Sequence, residues 1–188
     1  MELEVRIARA LDELEEIYHL RYQIYSQVGY IKKEDYPDEK ETDEFDEFST
    51  HFYAFNLIEK RIVGAIRLIK DTGKLPIEDI YDISFLRKQN KKIVEVSRRV
   101  TLPNRIKANF GLLQIIFQYA GKNNITNFIC SINPKDIDFY LKLGFNQFGS
   151  LKHYDKMRMP ALGMHLEIAK LKPPYSYTLY KPSKDIIF

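Results

Sequence analysis

The 188-residue sequence has no tryptophan and a single cysteine, Cys130. One cysteine excludes an intramolecular disulfide, a zinc site of the CxxC type and a CxxC redox pair. The sequence contains no run of 18 apolar residues, and acidic residues are spread through its first thirty positions. We therefore expect neither a transmembrane helix nor a secretory signal. These absences indicate a reducing compartment, most simply the cytoplasm.

Residues with the spacing of metal ligands are also missing. The four histidines are isolated from one another and from suitable partners: His19, His51, His153 and His165. Cys130 lies in an apolar segment, where a small hydrophobic role is favoured over a nucleophilic one. We predict no metal site and no tightly bound cofactor.

The composition is that of one globular domain. Hydrophobic residues make up 45% of the chain and charged residues 29%, and a chain of this length can bury a substantial core. We predict a single domain over residues 1–188, with a C-terminal extension from about residue 172.

The net charge of +3 conceals two regions of opposite sign. Residues 34–48 contain nine acids and one base, whereas residues 87–107 contain eight bases and one acid, Glu95. Separated patches suit an anionic ligand or an acidic protein partner, and two solvated faces are the alternative. The small net charge gives no case for nucleic-acid binding.

Hydrophobic periodicity predicts seven strands, three helices and a short helix or loop within residues 70–92. Strands are expected at residues 3–7, 52–58, 62–69, 93–102, 127–132, 145–148 and 163–171, and helices from about residue 8 to before Gly29, at 110–119 and at 134–143. A hairpin followed by helix crossovers predicts an α/β (α+β) fold with a mixed sheet and helices on both faces.

The segment FYLKLGF at residues 139–145 carries the first sign of chemistry. A helix ending at a glycine before an aromatic strand is by itself a helix cap beside a core residue. At this place in the chain it also resembles the C-terminal half of the GNAT acyltransferase superfamily. That resemblance implies a three-layer αβα sandwich with a mostly antiparallel sheet. It also implies that Tyr140 lies near the thioester sulfur, as a general acid for the leaving thiol.

The same family has a glycine-rich turn before the helix that follows its fourth strand, where backbone N–H groups hold the pyrophosphate of coenzyme A. Here residues 99–111 contain one glycine and a proline where the family usually has two glycines. Given this departure, an anionic acyl donor would have to be bound by basic side chains and the helix N-terminus instead. The residues assigned to acyl-donor binding are Arg99, Val100, Arg105, Lys107 and Gly111.

A second series of motifs resembles one branch of that fold. In order, the chain has R-x-x-x-aromatic, D-x-F-D, R-L and E-x-S-R, which look like the acyl-homoserine-lactone synthases and the related N-acyl amino acid synthases. Both groups take fatty acyl chains from acyl carrier protein. The resemblance implies a substrate-binding set of Arg21, Tyr25, Asp43, Asp46, Arg67, Ser97 and Arg98. The autoinducer synthases usually carry a tryptophan past the first helix, and its absence favours an amino-acid or other amine acceptor.

Amide formation from a thioester needs a group that removes the amine proton. Glu95, on a predicted central strand, is the candidate general base. Burial should raise its pKa, and Arg98 or Arg67 should lower it. A structural ion pair with Arg98 is the alternative, but strand alternation places residues 95 and 98 on opposite faces. Direct contact would need a bulge or a strong twist.

The sequence thus predicts an N-acyltransferase that moves an acyl group, most simply a fatty one, from acyl carrier protein or acyl-CoA to an amine by direct transfer. Three alternatives remain open. They are an acyl-homoserine-lactone synthase using S-adenosylmethionine, an acetyltransferase using acetyl-CoA, and a non-catalytic module that binds acyl carrier protein or an acyl ligand.

Overall fold

The computed structural model describes residues 2–88, 91–171 and 173–188. Its strands are β1 (Leu3–Ile7), β2 (Ser49–Asn56), β3 (Arg61–Lys70), β4 (Ile93–Thr101), β5 (Asn127–Ile132), β6 (Asn146–Tyr154), β7 (Met159–Glu167) and β8 (Ile186–Ile187). Its α-helices are α1 (Leu11–Gln27), α2 (Ser84–Arg87), α3 (Ile106–Lys122), α4 (Ile137–Leu143) and α5 (Tyr175–Thr178).

The eight described strands form one mixed sheet in the order β6-β7-β5-β4-β3-β2-β1-β8. The β4–β5 and β1–β8 pairs are parallel and the other neighbours are antiparallel. Helix α1 packs on one face of the sheet, and α3 and α4 pack on the other. The predicted α/β class and three-layer, mostly antiparallel architecture are confirmed.

Several predicted boundaries were wrong, mainly in the C-terminal third. Strand β6 is longer than the predicted 145–148, and β7 begins at Met159 rather than Gly163 and ends before a 3-10 turn over Ile168–Lys170. Most of β6 is exposed, so its sequence carries no alternation of apolar and polar residues. Helix α3 extends beyond 110–119 at both ends, and a 3-10 turn over Pro134–Asp136 precedes α4.

The end of the chain adds an element that was not predicted. Strand β8 pairs in parallel with β1, and the Val5 N–H donates to the Asp185 carbonyl at 2.6 Å. The predicted start of the C-terminal extension, near residue 172, lies outside the described residues, as do positions 89–90 of the predicted short helix or loop. None of the described helices is long and apolar enough to cross a bilayer.

Each face of the sheet has its own hydrophobic core. The α1 face is built around Ile17, Leu20 and Tyr53, whereas the α3 face is built around Phe117 and Phe128. These side chains are buried, and burying each large apolar side chain stabilises the fold by about 1.5–3 kcal/mol. The sheet is therefore fixed from both sides, which makes it a rigid frame for side chains at its centre.

Strand β4 departs from regular geometry at the centre of the sheet. Its register with β3 passes from Ser97 opposite Arg67 to Val100 opposite Ala65, so that β4 has one extra residue there. Arg98 lies within this β-bulge and has a φ of +50°. Pairing between β4 and β5 ends at Glu95, although both strands continue. The separation opens a crevice at the carboxyl ends of two parallel strands, where α/β proteins commonly bind ligands.

The packing of α3 on β1 leaves no room for a side chain at Gly111. An added Cβ would lie 2.7 Å from Val5 Cγ2, whereas one at Gly121, in the same helix, would lie 3.5 Å from Tyr180 Cε1. We expect Gly111→Ala to lower the free energy of unfolding by about 1–3 kcal/mol through overpacking. The matched Gly121→Ala should be neutral or stabilise the helix by up to about 1 kcal/mol. Urea titration of both variants measures these changes, and equal stabilities would contradict the packing argument.

Candidate active site

The crevice between β4 and β5 contains a cavity of about 120 Å³. Residues 95–99 of β4 and residues 131–133 line it, together with Tyr25 of α1, Tyr140 of α4 and Tyr154 of β6. Both residues predicted to be catalytic, Glu95 and Tyr140, therefore border one cavity. Their surroundings lie on opposite faces of the sheet: Tyr140, on α4, belongs to the α3-side core, whereas Glu95, on β4, contacts Ile77 of the α1-side core.

Glu95 is a buried carboxyl group without an arginine or lysine partner among the described ion pairs. It is 2% exposed, and its Oε2 accepts a hydrogen bond from the Ile77 backbone N–H at 3.0 Å. Burial raises the pKa of Glu95 to about 8, against the opposing effects of that hydrogen bond and of the Arg67 and Arg98 charges. A carboxyl group with such a pKa can exchange a proton near neutral pH, which is what a general base requires.

Tyr140 is a buried phenol held among aromatic rings. Its ring lies edge-on to Phe139 and Phe145, and the Arg99 guanidinium is 5.8 Å from its centroid. Arg99 Nη1 in turn donates to Asn109 Oδ1 at 2.8 Å. Burial raises the pKa of Tyr140, while Arg99 opposes that shift. The hydroxyl is thus protonated at neutral pH and can donate its proton.

The bulge determines which side chains of β4 share a face. Arg98 contacts Asp43, as does Arg67, and Arg67 Nε donates to Ser97 Oγ at 3.0 Å. Ser97 and Arg98 therefore lie on one face, and Arg99 turns to the other. Arg98 pairs with Glu41 and Asp43 of residues 34–48, here named the acidic segment, and not with Glu95. The alternative of a Glu95–Arg98 ion pair was therefore wrong.

Three arginines and three carboxylates form a buried network beside the cavity. Arg21 binds Glu41 and Asp46 at 2.5 and 2.7 Å. Arg67 binds Asp43 and Asp46, each at 2.6 Å. Arg98 binds Glu41 at 2.9 Å and Asp43 at 2.7 Å. These contacts neutralise all six charges while joining α1, the acidic segment, β3 and β4.

The predicted substrate-binding residues divide into two groups. Tyr25, Ser97 and Arg98 line the cavity. Arg21, Asp43, Asp46 and Arg67 lie behind it, paired with one another. Although burial acts to raise it, hydrogen bonding to Arg67 and the charges of Arg98 and Arg67 hold the pKa of Asp43 well below its usual range. Residues of the second group contact Arg98 and Ser97, because Asp43 pairs with Arg98 and Arg67 Nε donates to Ser97 Oγ.

The predicted donor-binding residues are not gathered at one place. Arg99 lines the cavity and Val100 is buried in the α1-side core. Arg105 pairs with Glu59 at 2.7 Å. Lys107 and Gly111 border a separate groove of about 740 Å³ between α3, β1 and the chain end. Of this set, Arg99 is the residue that borders the same cavity as Glu95 and Tyr140.

Sequence reasoning missed several residues of the site. Glu41 is one of nine acids in residues 34–48, and nothing in its spacing distinguishes it from its neighbours. Asn133 Nδ2 donates to Tyr30 Oη at 3.0 Å, and both residues line the cavity. Tyr154, whose pKa burial raises to about 12, comes from the strand whose length was underestimated. Contacts across 103 residues of chain, as between Asn133 and Tyr30, leave no local sequence signal.

The raised pKa of Glu95 has a consequence for stability. Between pH 4.5, its ordinary value, and about pH 8 the folded protein holds a proton that the unfolded chain releases. Stability contributed by Glu95 is therefore present below pH 4.5 and is lost as pH rises through about 8. We expect Glu95→Gln, which cannot ionise, to gain stability relative to the wild type progressively from pH 5 to pH 8. Chemical denaturation at several pH values measures this, and a pH-independent difference would contradict it.

Three comparisons with known proteins bear on this geometry. The family model of the N-acyl amino acid synthase FeeM matches residues 16–167. The solved structure of FeeM, an N-acyl amino acid synthase from uncultured soil microbes, is 29% identical and superposes with a TM-score of 0.76 over 89% of this chain and 91% of that one. A search of curated proteins gives no match.

Other solved structures share the fold at lower identity. The CoA-dependent acyl-homoserine lactone synthase BjaI is 17% identical, with a TM-score of 0.74 over 98% of this chain and 92% of that one. The acyl-homoserine lactone synthase LasI is 17% identical, with a TM-score of 0.70 over 95% and 94%. Because the family model matches residues 16–167, most of the length, the chain is an acyltransferase that belongs to the N-acyl amino acid synthase FeeM family.

Proposed function

We propose that the protein transfers a fatty acyl group from the thioester of an acyl carrier protein or coenzyme A to the amine of an amino acid. The observation that carries the proposal is the shared cavity of Glu95 and Tyr140, a proton acceptor and a proton donor brought to one crevice from two faces of the sheet. Membership of the FeeM family supports the amino-acid acceptor.

On the acceptor side, Glu95 converts the amine into a nucleophile by removing a proton from it. An α-amine is mostly protonated at neutral pH and must lose a proton before it can attack. The ionised Glu95 takes that proton, and the amine nitrogen bonds to the thioester carbonyl carbon. Because the pKa of Glu95 is about 8, the ionised fraction rises through neutral pH. The rate is therefore expected to rise with pH up to and beyond 8.

On the donor side, Tyr140 assists the leaving group. When the tetrahedral adduct collapses, the C–S bond breaks and the thiolate takes the Tyr140 hydroxyl proton. The nitrogen of the adduct still carries one proton more than the amide needs, and the tyrosinate takes it, while Glu95 releases its own proton to solvent. Both groups then return to their starting states. The guanidinium of Arg99 beside the Tyr140 ring stabilises the transient anion.

An acyl-homoserine-lactone synthase is the second candidate, because BjaI and LasI share this fold over nearly the whole chain. Such an enzyme would use S-adenosylmethionine as the acceptor. Incubation of the protein with an acyl donor and S-adenosylmethionine distinguishes the two, since a lactone synthase consumes that acceptor and an amino acid synthase leaves it unchanged.

The role of Glu95 is tested by Glu95→Gln, with the exposed Glu44→Gln as matched control. Loss of a general base should lower kcat by about 10²–10⁴-fold and remove the rise of kcat/KM toward pH 8. Mass spectrometry of N-acyl amino acids formed from acyl carrier protein or acyl-CoA donors measures the product. Glu44→Gln should retain full activity, since its carboxylate pairs with Lys156 at the surface. Full activity of Glu95→Gln would overturn the assignment.

The role of Tyr140 is tested by Tyr140→Phe with two donors. Its rate with an alkyl thioester should fall about 10²-fold. With an aryl thioester, whose thiolate leaves without protonation, most of the rate should return. Tyr177→Phe, at an exposed position, is the control. An equal loss with both donors would show that Tyr140 does not protonate the leaving group.

A further inference from the structure

The hydrogen bond to Glu95 comes from a segment outside the cavity. Residues 71–88, here named the β3–β4 connection, follow strand β3 and pass over the α1-side core. Within the connection, the buried Ile77 donates its backbone N–H to Glu95 Oε2 at 3.0 Å. Oε2 of Glu95 thus accepts this backbone hydrogen bond, whereas Oε1 accepts none among the described residues.

Arg87, near the end of this connection, pairs with two carboxylates from earlier in it, Asp71 and Glu78. Its Nε and Nη2 donate to the two carboxylate oxygens of Asp71, both at 2.8 Å. Its Nη1 and Nη2 donate to the two oxygens of Glu78, both at 2.6 Å. One guanidinium thus makes bidentate contacts with two carboxylates, the arrangement that gives Arg–carboxylate pairs their geometric specificity. The contacts join the beginning, middle and end of the connection.

The contacts of Arg87 with Asp71 and Glu78, here named the clamp, are connected to Ile77 through Glu78. Glu78 Oε2, which binds Arg87, also accepts from the Leu75 N–H at 2.7 Å. Leu75 is the residue before the 3-10 turn Pro76–Asp79, and Glu78 lies within that turn, next to Ile77. The Glu78 side chain, which Arg87 holds in place, therefore ties the turn to the residue that precedes it.

The far side of the connection has separate attachments. Tyr81 Oη donates to the carbonyls of Ser150 and Ala161 at 2.9 and 2.8 Å, and Lys152 Nζ donates to the Ile80 carbonyl at 2.7 Å. These contacts hold the part after the turn against β6 and β7. The start of the connection is held by Arg87 through Asp71, and Asp79, at the end of the turn, pairs with Lys74 at 3.6 Å and with Lys156 at 2.9 Å.

We propose that Arg87 is a positioning residue for Glu95: by clamping Asp71 and Glu78 it holds the Ile77 N–H on Glu95 Oε2, so that Oε1 is the oxygen that takes the acceptor's proton. The inference rests on the proposed function, in which Glu95 is the base. Arg87 lies outside the cavity lining and is itself no catalytic residue.

Other groups facing Glu95 would remain unchanged when the clamp is removed. They are Arg67 on β3, Arg98 on β4, Asp43 in the acidic segment, Cys130 on β5 and Tyr154 on β6. None of them contacts Arg87 through a hydrogen bond or ion pair among the described residues. A change in the titration of Glu95 on removal of Arg87 would therefore report on the Ile77 hydrogen bond.

The experiment is a titration of Glu95 by NMR in protein with ¹³C-labelled glutamate side chains, with Glu95→Gln used to assign the resonance. In Arg87→Met, loss of the Ile77 donor should move the midpoint upward by about one pH unit, because that hydrogen bond favours the ionised form. The midpoint of the kcat/KM profile should move in the same direction. Arg87→Lys, which cannot make two bidentate contacts, should give a smaller shift.

Lys88→Ala is the matched control, because it removes the same charge from an exposed position of the same connection, and Lys88 forms no ion pair among the described residues. Its Glu95 midpoint should equal that of the wild type. Should Arg87→Met fail to fold, Glu78→Gln weakens the clamp while keeping its size, and a smaller upward shift is expected there.

A folded Arg87→Met or Glu78→Gln with an unshifted Glu95 midpoint would overturn the inference. The NMR measurement needs no turnover, so it separates the two claims. A shift in a protein without acyl transfer to any amine would refute the proposed function alone. Normal wild-type turnover with no shift in the variants would refute the positioning role alone.

Discussion

The site depends on the buried network in which Arg21, Arg67 and Arg98 meet three carboxylates. Each arginine contacts two of the carboxylates, so the six charges form a closed set. Removing one member of a buried pair typically costs about 3–5 kcal/mol, because the partner is left uncompensated in a medium that solvates it poorly. The acidic segment is thereby held against α1, β3 and β4, and it contacts Arg98, which lines the cavity.

The network also explains why an unusual backbone persists in β4. A non-glycine residue in the left-handed region costs of order 1 kcal/mol or more, and Arg98 has a φ of +50°. Its side chain is held by Glu41 and Asp43, both within the network. Charge-assisted hydrogen bonds of this kind offset the local strain. The bulge then places Ser97 and Arg98 on one face and sends Arg99 to the other, beside Tyr140.

The sequence predicted the features that local patterns and motif order determine, and it missed those that depend on contacts between distant parts of the chain. The bounds of β1 and β5 follow from their own alternation or apolar run, and the motif order identified Glu95, Tyr140 and the members of the network apart from Glu41. The direction in which Arg98 points did not follow, since it depends on a one-residue bulge that alternation cannot show. The length of β6 was underestimated because its side chains are mostly exposed and show no alternation of apolar and polar residues. The role of Ile77 was invisible, because it is carried by a backbone N–H that any residue except proline supplies.

Burial has opposite outcomes in the network and at Glu95. In the network, ion pairing keeps Asp43 ionised despite burial, whereas burial raises the pKa of Glu95. The charges of Arg67 and Arg98 act on Glu95. They are already paired with Glu41, Asp43 and Asp46, so little of their field remains to stabilise an ionised Glu95. Burial then dominates, and the pKa of Glu95 rises to about 8. Had one carboxylate been missing, an arginine would be free to pair with Glu95 and hold it ionised, as a weaker base. The stoichiometry of the network thus contributes to the raised pKa of Glu95, which its proposed role as a general base requires.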